Sequence, residues 1–238
     1  MTEKSSVDSV ISANLSRIKE SMHSACIQAG RADSSVRLLA VTKTVDAERI
    51  NSVIRQGVGQ IGENRVQEFL RKREDINLKN TAVHLIGHLQ TNKVKQIVGN
   101  VQMIQSVDSF RLAQAISGRS KELSIVTPVL VEVNIGGEEA KSGVEPENLE
   151  SLLCQISDLP GIRVRGLMTV PPILHKETEK RKIFSKMYQL FVDIADKKID
   201  NIDMQELSMG MSGDYREAIL EGSTMVRIGS ALFGERQY

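Results

Sequence analysis

The stretch Arg37-Leu38-Leu39-Ala40-Val41-Thr42-Lys43-Thr44 decides the fold of this chain. Residues 38 to 41 form an unbroken apolar run that is short and partly β-branched, which is typical of a strand buried on both faces of a parallel sheet. A lysine follows where that strand should end. Since ligands bind at the carboxyl ends of the strands in parallel α/β folds, Lys43 is a candidate primary amine at the mouth of a site. The alternative is a solvated lysine that merely follows a strand, because charged side chains are mostly exposed.

Similar apolar runs recur along the chain and alternate with stretches of helical periodicity. We predict eight strands, at 38–41, 58–62, 82–86, 101–107, 128–133, 162–168, 205–209 and 225–228. An amphipathic helix of about six turns precedes the first strand, with apolar residues from Val7 to Ala29 at steps of three and four. This alternation predicts an α/β protein with one (β/α)8 TIM barrel domain over 1–238, in which 1–36 form an N-terminal helix and lead-in and 37–238 form the barrel. An open doubly wound sheet gives the same alternation and is the alternative.

The composition excludes several classes of function. The chain has 238 residues, of which 40% are hydrophobic, and its net charge of +1 offers no basic field for nucleic acid or an anionic membrane. No apolar run approaches the roughly 20 residues needed to span a bilayer, and residues 1–10 lack the apolar segment of a signal peptide. Cys26 and Cys154 have neither metal-ligand nor disulfide spacing. We therefore expect a cytoplasmic protein that binds neither nucleic acid nor membranes and has no metal site.

The last two strand-to-helix turns have the composition of an anion site. Barrels of this type often hold a phosphate between the loops after strands seven and eight, on backbone N–H groups at helix N-termini. The two turns read Ser208-Met209-Gly210-Met211-Ser212-Gly213-Asp214 and Arg227-Ile228-Gly229-Ser230-Ala231. Glycines permit close approach of the backbone, hydroxyls can donate to phosphate oxygens, and Arg227 adds a fixed charge. The alternatives are local roles, with Ser212 as the cap of a helix over 214–221 and Gly229 as a simple turn residue.

A barrel would bring Lys43 and these two turns to the same face. An amine on one side of the mouth and a phosphate site on the other suit an aldehyde with a phosphate tail, since lysine forms Schiff bases with carbonyl compounds. Two ligands fit, and the residue pattern leaves both open. One is a phosphosugar in a Schiff-base aldolase, and the other is pyridoxal phosphate.

Several segments resemble the pyridoxal phosphate homeostasis family, also called YggS/PROSC, in order and over nearly the whole chain. They are Ala40-Val41-Thr42-Lys43, Gly62-Glu63-Asn64-Arg65-Val66-Gln67-Glu68, His84-Leu85-Ile86-Gly87-His88-Leu89-Gln90-Thr91-Asn92-Lys93, Val133-Asn134 with Glu138, Lys141 and Gly143, Gly166-Leu167-Met168, Ser208-Met209-Gly210-Met211-Ser212 and Arg227-Ile228-Gly229. The resemblance implies a barrel of fold-type III, like the N-terminal domain of alanine racemase, with pyridoxal 5'-phosphate as its cofactor.

The resemblance also implies the site residues. Lys43 would carry the cofactor as a Schiff base, and Asn64 would lie beside the ring. The phosphate and its surroundings would be held by residues of the last two turns and their backbone: Ser208, Met209, Ser212, Arg227, Ile228, Gly229 and Ser230. The chain departs from the family pattern at Gly136, Gly213 and Ser230, where Ser, Asp and Thr are common. Ser230 keeps the hydroxyl, and Gly213 keeps the backbone N–H.

The sequence favours a carrier of the cofactor over an enzyme. Racemisation at a pyridoxal Schiff base needs a proton donor and acceptor on opposite faces of the substrate carbon. In alanine racemases a partner subunit's tyrosine and a second β domain complete the site, and we expect neither here. Tyr188 is predicted on an outer helix, Tyr215 in a structural role near the phosphate turn, and Tyr238 is the last residue. We expect a monomeric, non-catalytic protein that passes the cofactor to apo enzymes, with an amino-acid racemase as the alternative.

Overall fold

Eight parallel strands form a closed barrel in this computed structural model, which describes residues 3–138 and 142–234 and the side chains of the first helix from residue 8. The strands are β1 Arg37–Val41, β2 Gln60–Glu63, β3 Ala82–Leu85, β4 Met103–Val107, β5 Thr127–Glu132, β6 Ile162–Met168, β7 Ile202–Met211 and β8 Met225–Ile228. Each strand pairs with the next, and β8 pairs with β1, with Leu39 opposite Arg227 and Ala40 opposite Ile228. The predicted barrel is confirmed, and the open doubly wound sheet is wrong.

Nine α-helices of the described residues connect or flank the strands. They are α1 Glu3–Gln28, α2 Ala47–Arg55, α3 Val66–Lys72, α4 Val94–Ile97, α5 Phe110–Glu122, α6 Leu149–Ser157, α7 Glu177–Asp196, α8 Tyr215–Leu220 and α9 Ser230–Phe233. Short 3₁₀ turns lie at Asp33–Ser35, Arg73–Asp75, Thr91–Lys93 and Pro146–Asn148. None of these helices is long and apolar enough to cross a membrane.

The predicted N-terminal helix packs against the outer ring, where α1 contacts α2, α8 and α9. Ile11, Leu15 and Ile18 are buried on its inner face at helical spacing. The helix is followed by Gly30, which has a φ of +65°. The N–H of Arg31 then donates to the carbonyl of Cys26 at 2.9 Å, so the last carbonyls are satisfied as in a Schellman-type ending.

The first strand is buried on both faces, as predicted from its unbroken apolar run. Ala40 belongs to the main core between the barrel and the helices. Leu39 and Val41 belong instead to a small cluster with Met225 and Ile86. Side chains alternate between the faces of a strand, so this second cluster lies inside the barrel. Lys43 follows Val41 at the carboxyl end of the same strand, where the alternation directs it to the mouth.

Candidate active site at the barrel mouth

A cavity of about 540 Å³ opens at the carboxyl ends of the strands. Its size lies within the range of small-molecule sites. It is lined by Val41, Lys43, Asn64, Ile86, Val170, Ile173, Met211, Ser212, Gly213, Arg227, Gly229 and Ser230. The cavity thus brings the amine after β1 together with the turns after β7 and β8, which the sequence predicted to share one face.

Lys43 lies in a turn at one side of this cavity. The turn spans Thr42 to Val45, and the N–H of Val45 donates to the carbonyl of Thr42 at 3.1 Å. Lys43 itself is half-buried, so its apolar stem is sheltered while its amine can reach the cavity that it lines.

The turns after β7 and β8 are joined by one hydroxyl. The turn after β8 lies beside the turn of Lys43, because β8 pairs directly with β1, and not across the mouth from it as the sequence predicted. Ser212 Oγ accepts hydrogen bonds from the N–H groups of Gly229 and Ala231, each at 3.2 Å. The expected role of Ser212 as the cap of the helix over 214–221 is wrong, because Asp214 is the N-cap residue of α8. The Asp214 side chain instead accepts from the N–H of Met211 at 2.6 Å and stabilises the turn itself. Ser212 therefore fixes the turn after β7 against the start of α9.

Arg227 lies at the floor of the cavity and is only 3% exposed. Its two terminal nitrogens donate to Ser208 Oγ at 2.7 Å and to the carbonyl of Thr169 at 2.6 Å. Burial lowers the pKa of Arg227 to about 10, and the carboxylates of Asp214 and Glu132 oppose this shift. The guanidinium is still charged at neutral pH, and it contributes that charge from beneath the cavity.

A chain of polar groups continues from Arg227 across the barrel interior. Ser208 Oγ donates to Gln105 Oε1 at 2.7 Å, and Gln105 Nε2 meets His84 Nδ1 at 2.8 Å. Burial, with Arg37, lowers the pKa of His84 to about 4, so this ring is neutral and Nδ1 can accept. Strands β3, β4, β7 and β8 each contribute one of these four side chains, and each of the four has a hydrogen-bond partner in the network.

Glu132, at the end of β5, is the acidic member of this interior. Burial raises the pKa of its carboxyl to about 7, Asp108 adds to the rise, and Arg227 opposes it. Asp108 also accepts from Ser109 Oγ at 3.0 Å and lies 3.4 Å from His88 Nδ1. His88, for which the sequence offered no chemical role, therefore contacts the Asp108 carboxylate on the rim.

The predicted site residues occupy three different positions. Those that line the cavity are Lys43, Asn64, Ser212, Arg227, Gly229 and Ser230. Ser208 is fully buried beneath it in the polar chain. Met209 and Ile228 belong to the main core, so only their backbone can face a ligand. Lys141 and Tyr238 lie outside the described residues.

Sequence reasoning missed much of the apolar wall. The missed lining residues are Val41, Ile86, Val170 and Ile173. Val41 could have been found, because it lies two residues before Lys43 on the same strand face. Ile173 could not, because it is 88% exposed in the segment after β6, which has no regular periodicity.

Comparisons with known proteins agree with this geometry. The family model of the alanine racemase N-terminal domain matches residues 11–237. A pyridoxal phosphate homeostasis protein of Aquifex aeolicus is 46% identical over 224 residues, which cover 94% of this chain and 97% of that protein. One of Pseudomonas aeruginosa is 36% identical over 230 residues and 97% of each chain. The chain belongs to the pyridoxal phosphate homeostasis family.

Solved structures with the same barrel fold include a member of this family and alanine racemases. PipY of Synechococcus elongatus, solved with PLP bound, is 30% identical, has a TM-score of 0.82, and is matched over 94% of this chain and 100% of its own. An alanine racemase of Clostridium difficile has a TM-score of 0.73 at 18% identity. The match covers 96% of this chain but 60% of the racemase, and at this identity it shows a shared barrel fold only.

Proposed function

We propose that this chain binds pyridoxal 5'-phosphate through Lys43 and serves pyridoxal phosphate homeostasis without catalytic turnover. The observation that carries the proposal is that one cavity is lined by Lys43, by Asn64 and by the turns after β7 and β8, which Ser212 joins to Gly229. The names of the relatives and the PLP-bound PipY structure support the choice of ligand. They also favour it over a phosphosugar, which the residue pattern alone left open.

The residues present fit this cofactor. Asn64 lines the cavity, and its Oδ1 is buried without a hydrogen-bond partner among the described residues. A buried amide oxygen without a partner is costly, and a polar group of a bound ring would supply one. Gly87 lets its own segment pack directly against the Asn64 backbone, because a Cβ at that position would overlap the Asn64 carbonyl.

Each part of the cavity has a distinct role in the proposal. The bound cofactor supplies an aldehyde that condenses with a primary amine, and Lys43 supplies that amine. Ser212, Gly213, Gly229 and Ser230 form the end of the cavity suited to the phosphate, where the hydroxyls of Ser212 and Ser230 can donate to an anion. The N–H groups of Gly229 and Ala231 are bound by Ser212 Oγ at this end. Val41, Ile86 and Met211 contribute apolar wall against the ring. Arg227 adds positive charge from the floor.

The proposal of a non-catalytic role rests on what surrounds Lys43. Among the described residues, the cavity lining includes no tyrosine or histidine that could hold a proton on the face opposite this amine. Tyr215 packs on the main core, and Tyr188 is 44% exposed on α7. In this proposal the protein acts in the cytoplasm as a monomer and hands the cofactor to apo enzymes.

A spectrum of the purified protein tests the binding proposal. We expect a visible absorbance from the Lys43-linked cofactor, its loss on borohydride reduction, and a pyridoxyl group on Lys43 in mass-spectrometric peptide mapping. Lys43→Ala should abolish the absorbance, whereas Lys79→Ala, at an exposed position, should leave it unchanged. An unaltered spectrum in Lys43→Ala would assign the cofactor to another lysine.

Turnover is tested separately with chiral assays of alanine, serine and other amino acids. We expect none above the rate of free cofactor. Saturable racemisation by the wild type that Lys43→Ala abolishes would replace the carrier proposal with the racemase alternative.

A further inference from the structure

The turn that carries Lys43 has a strained backbone. Lys43 and Thr44 are its two central residues, and Thr44 has a φ of +61°. This left-handed region suits glycine or asparagine, and a β-branched residue rarely adopts it. Such a conformation persists only where surrounding groups hold it in place.

Two side chains of α3, on the outside of the barrel, hold this turn. Glu68 Oε1 accepts from the N–H of Thr44 at 2.6 Å. Lys72 Nζ donates to the carbonyl of Thr42 at 2.8 Å and contacts that of Val45 at 3.4 Å. Lys72 also pairs with Glu68 at 2.9 Å, one helical turn away. Backbone groups on both sides of Lys43 are thus bound by one helix.

A third charged group fixes the ammonium of Lys72 from the barrel side. Glu63 Oε1, at the end of β2, lies 2.9 Å from Lys72 Nζ, and the Glu63 side chain is fully buried. It also accepts a hydrogen bond from Thr42 Oγ1. Burial raises the pKa of Glu63, although Lys72 and Thr42 oppose the rise. Burying an ionisable group here costs free energy that an apolar residue of similar volume would avoid.

Glu68 and Lys72 carry opposite charges where they hold the turn. Burial favours the neutral form of Glu68, but hydrogen bonds from Lys72 and the N–H of Thr44 outweigh it and lower its pKa. Glu68 is therefore an anion when it binds the strained residue. Lys72 is largely buried, with a side-chain exposure of 13%, and contacts four oxygen atoms of the turn and of the two acids.

We propose that Glu68 and Lys72 are positioning residues for Lys43: by fixing the Thr42–Val45 turn, they direct its amine into the cavity. The inference rests on the proposed function of that cavity. Neither residue lines the cavity, so they act through the backbone on either side of Lys43. A role limited to attaching α3 to the barrel would predict a loss of stability with no change in the chemistry of Lys43.

The first test uses the protein without cofactor. Lys72→Met removes the ammonium, Glu68→Ala removes the acceptor for Thr44, and Glu68→Gln keeps an oxygen acceptor and serves as the conservative rescue. Arg165→Met is the matched control, because it removes a partly buried ion pair with Asp203 on β7. The measurements are hydrogen exchange in peptides covering Thr44 and the rate of amine modification at Lys43, relative to the exposed Lys79.

We expect Lys72→Met and Glu68→Ala to speed hydrogen exchange at Thr44. Both should also change the relative reactivity of Lys43 on the order of tenfold, which is less than the hundredfold effect that a misplacement of about 1 Å can have. Glu68→Gln should stay within about twofold of the wild type, since its amide oxygen still accepts. Arg165→Met should change neither quantity. Unchanged Lys43 reactivity in both loss variants would overturn the proposal. If Lys72→Met does not fold, Glu68→Ala decides alone.

A second test uses the protein loaded with pyridoxal phosphate. The fraction trapped on Lys43 by borohydride should fall, and release of the cofactor to a scavenging apo enzyme should accelerate, in both loss variants but not in Arg165→Met. Release at the wild-type rate in both would contradict the positioning role. A wild type that is never labelled at Lys43 would instead refute the proposed function, and the cofactor-free measurements would still judge the positioning role.

Discussion

Two ionisable side chains inside the barrel, Arg227 and Glu132, depend on each other's charge. Arg227 raises the cost of protonating Glu132, and Glu132 in turn favours the charged form of Arg227. Both lie away from bulk water, where charges interact more strongly than on a surface. The protonation of Glu132 near neutral pH therefore changes the field at the cavity floor.

The pH dependence of stability tests this balance. The folded protein keeps Glu132 protonated up to about pH 7, whereas the unfolded chain releases the proton near 4.5. The stabilisation is therefore complete below the lower pKa and is lost as pH rises through the higher one. Glu132→Gln is always neutral, so we expect it to match the wild type at about pH 4 and to exceed it at about pH 8 by up to about 3 kcal/mol.

Denaturant unfolding of the cofactor-free proteins measures this difference. The buried His84 has an opposite effect, because its lowered pKa removes stability as pH falls, but this effect is common to both proteins and cancels. Glu150→Gln, at an exposed carboxylate paired with Lys197, is the control and should show no such trend. A constant difference between Glu132→Gln and the wild type across pH would contradict the assignment.

Arg227 also shows what sequence could not predict at the scale of one residue. Its position at the end of β8 was predictable from the apolar run before it, and so was its place near the phosphate turns. Its hydrogen bonds were not, since Ser208 lies on β7 and Thr169 follows β6, and both meet Arg227 only when the barrel closes. Direct contact of Arg227 with the phosphate remains a prediction.

At the scale of elements, the turn after β7 and the start of α9 act as one unit through Ser212. The sequence showed both turns to be small and hydroxylated, which placed the site. It gave no sign that Ser212 accepts from Gly229 and Ala231 rather than capping α8, because the two turns lie 17 to 19 residues apart in the chain. Nor did it show that β7 continues to Met211, through residues that read as a turn.

A pair of serine variants separates structure from ligand binding in this unit. Ser212→Ala leaves two N–H groups without their acceptor, and we expect it to lower the free energy of unfolding by about 1 kcal/mol without cofactor. Ser230→Ala, at an exposed hydroxyl of the same cavity, should change it by less than about 0.5 kcal/mol. Both should weaken retention of pyridoxal phosphate, measured by equilibrium dialysis. Equal losses of stability in the two variants, or none in either, would contradict the distinction.

At the scale of the whole molecule, the closed barrel has irregular strand pairing on both sides of β6. The register shifts between Val129 and Leu130 where β5 meets β6, and between Val164 and Gly166 where β6 meets β7. Gly166 has a φ of +145°, and a Cβ there would overlap the backbone of Glu206. Its glycine was readable as part of a family motif, but the sequence alone did not reveal that the motif marks a close strand contact.

Two glycine-to-alanine variants should therefore change stability in opposite directions. Gly166→Ala adds backbone strain to a steric overlap that only strand separation relieves, so we expect a loss of about 3 kcal/mol or more. Gly118→Ala, in the exposed interior of α5 with no atom near the added methyl group, should gain about 0.5–1 kcal/mol, because glycine is a poor helix former. Urea unfolding followed by far-ultraviolet circular dichroism measures both, with soluble yield as the readout if Gly166→Ala does not fold. A loss below about 1 kcal/mol in Gly166→Ala would contradict this prediction. It would mean that β6 and β7 move apart locally and relieve the steric overlap without opening the barrel.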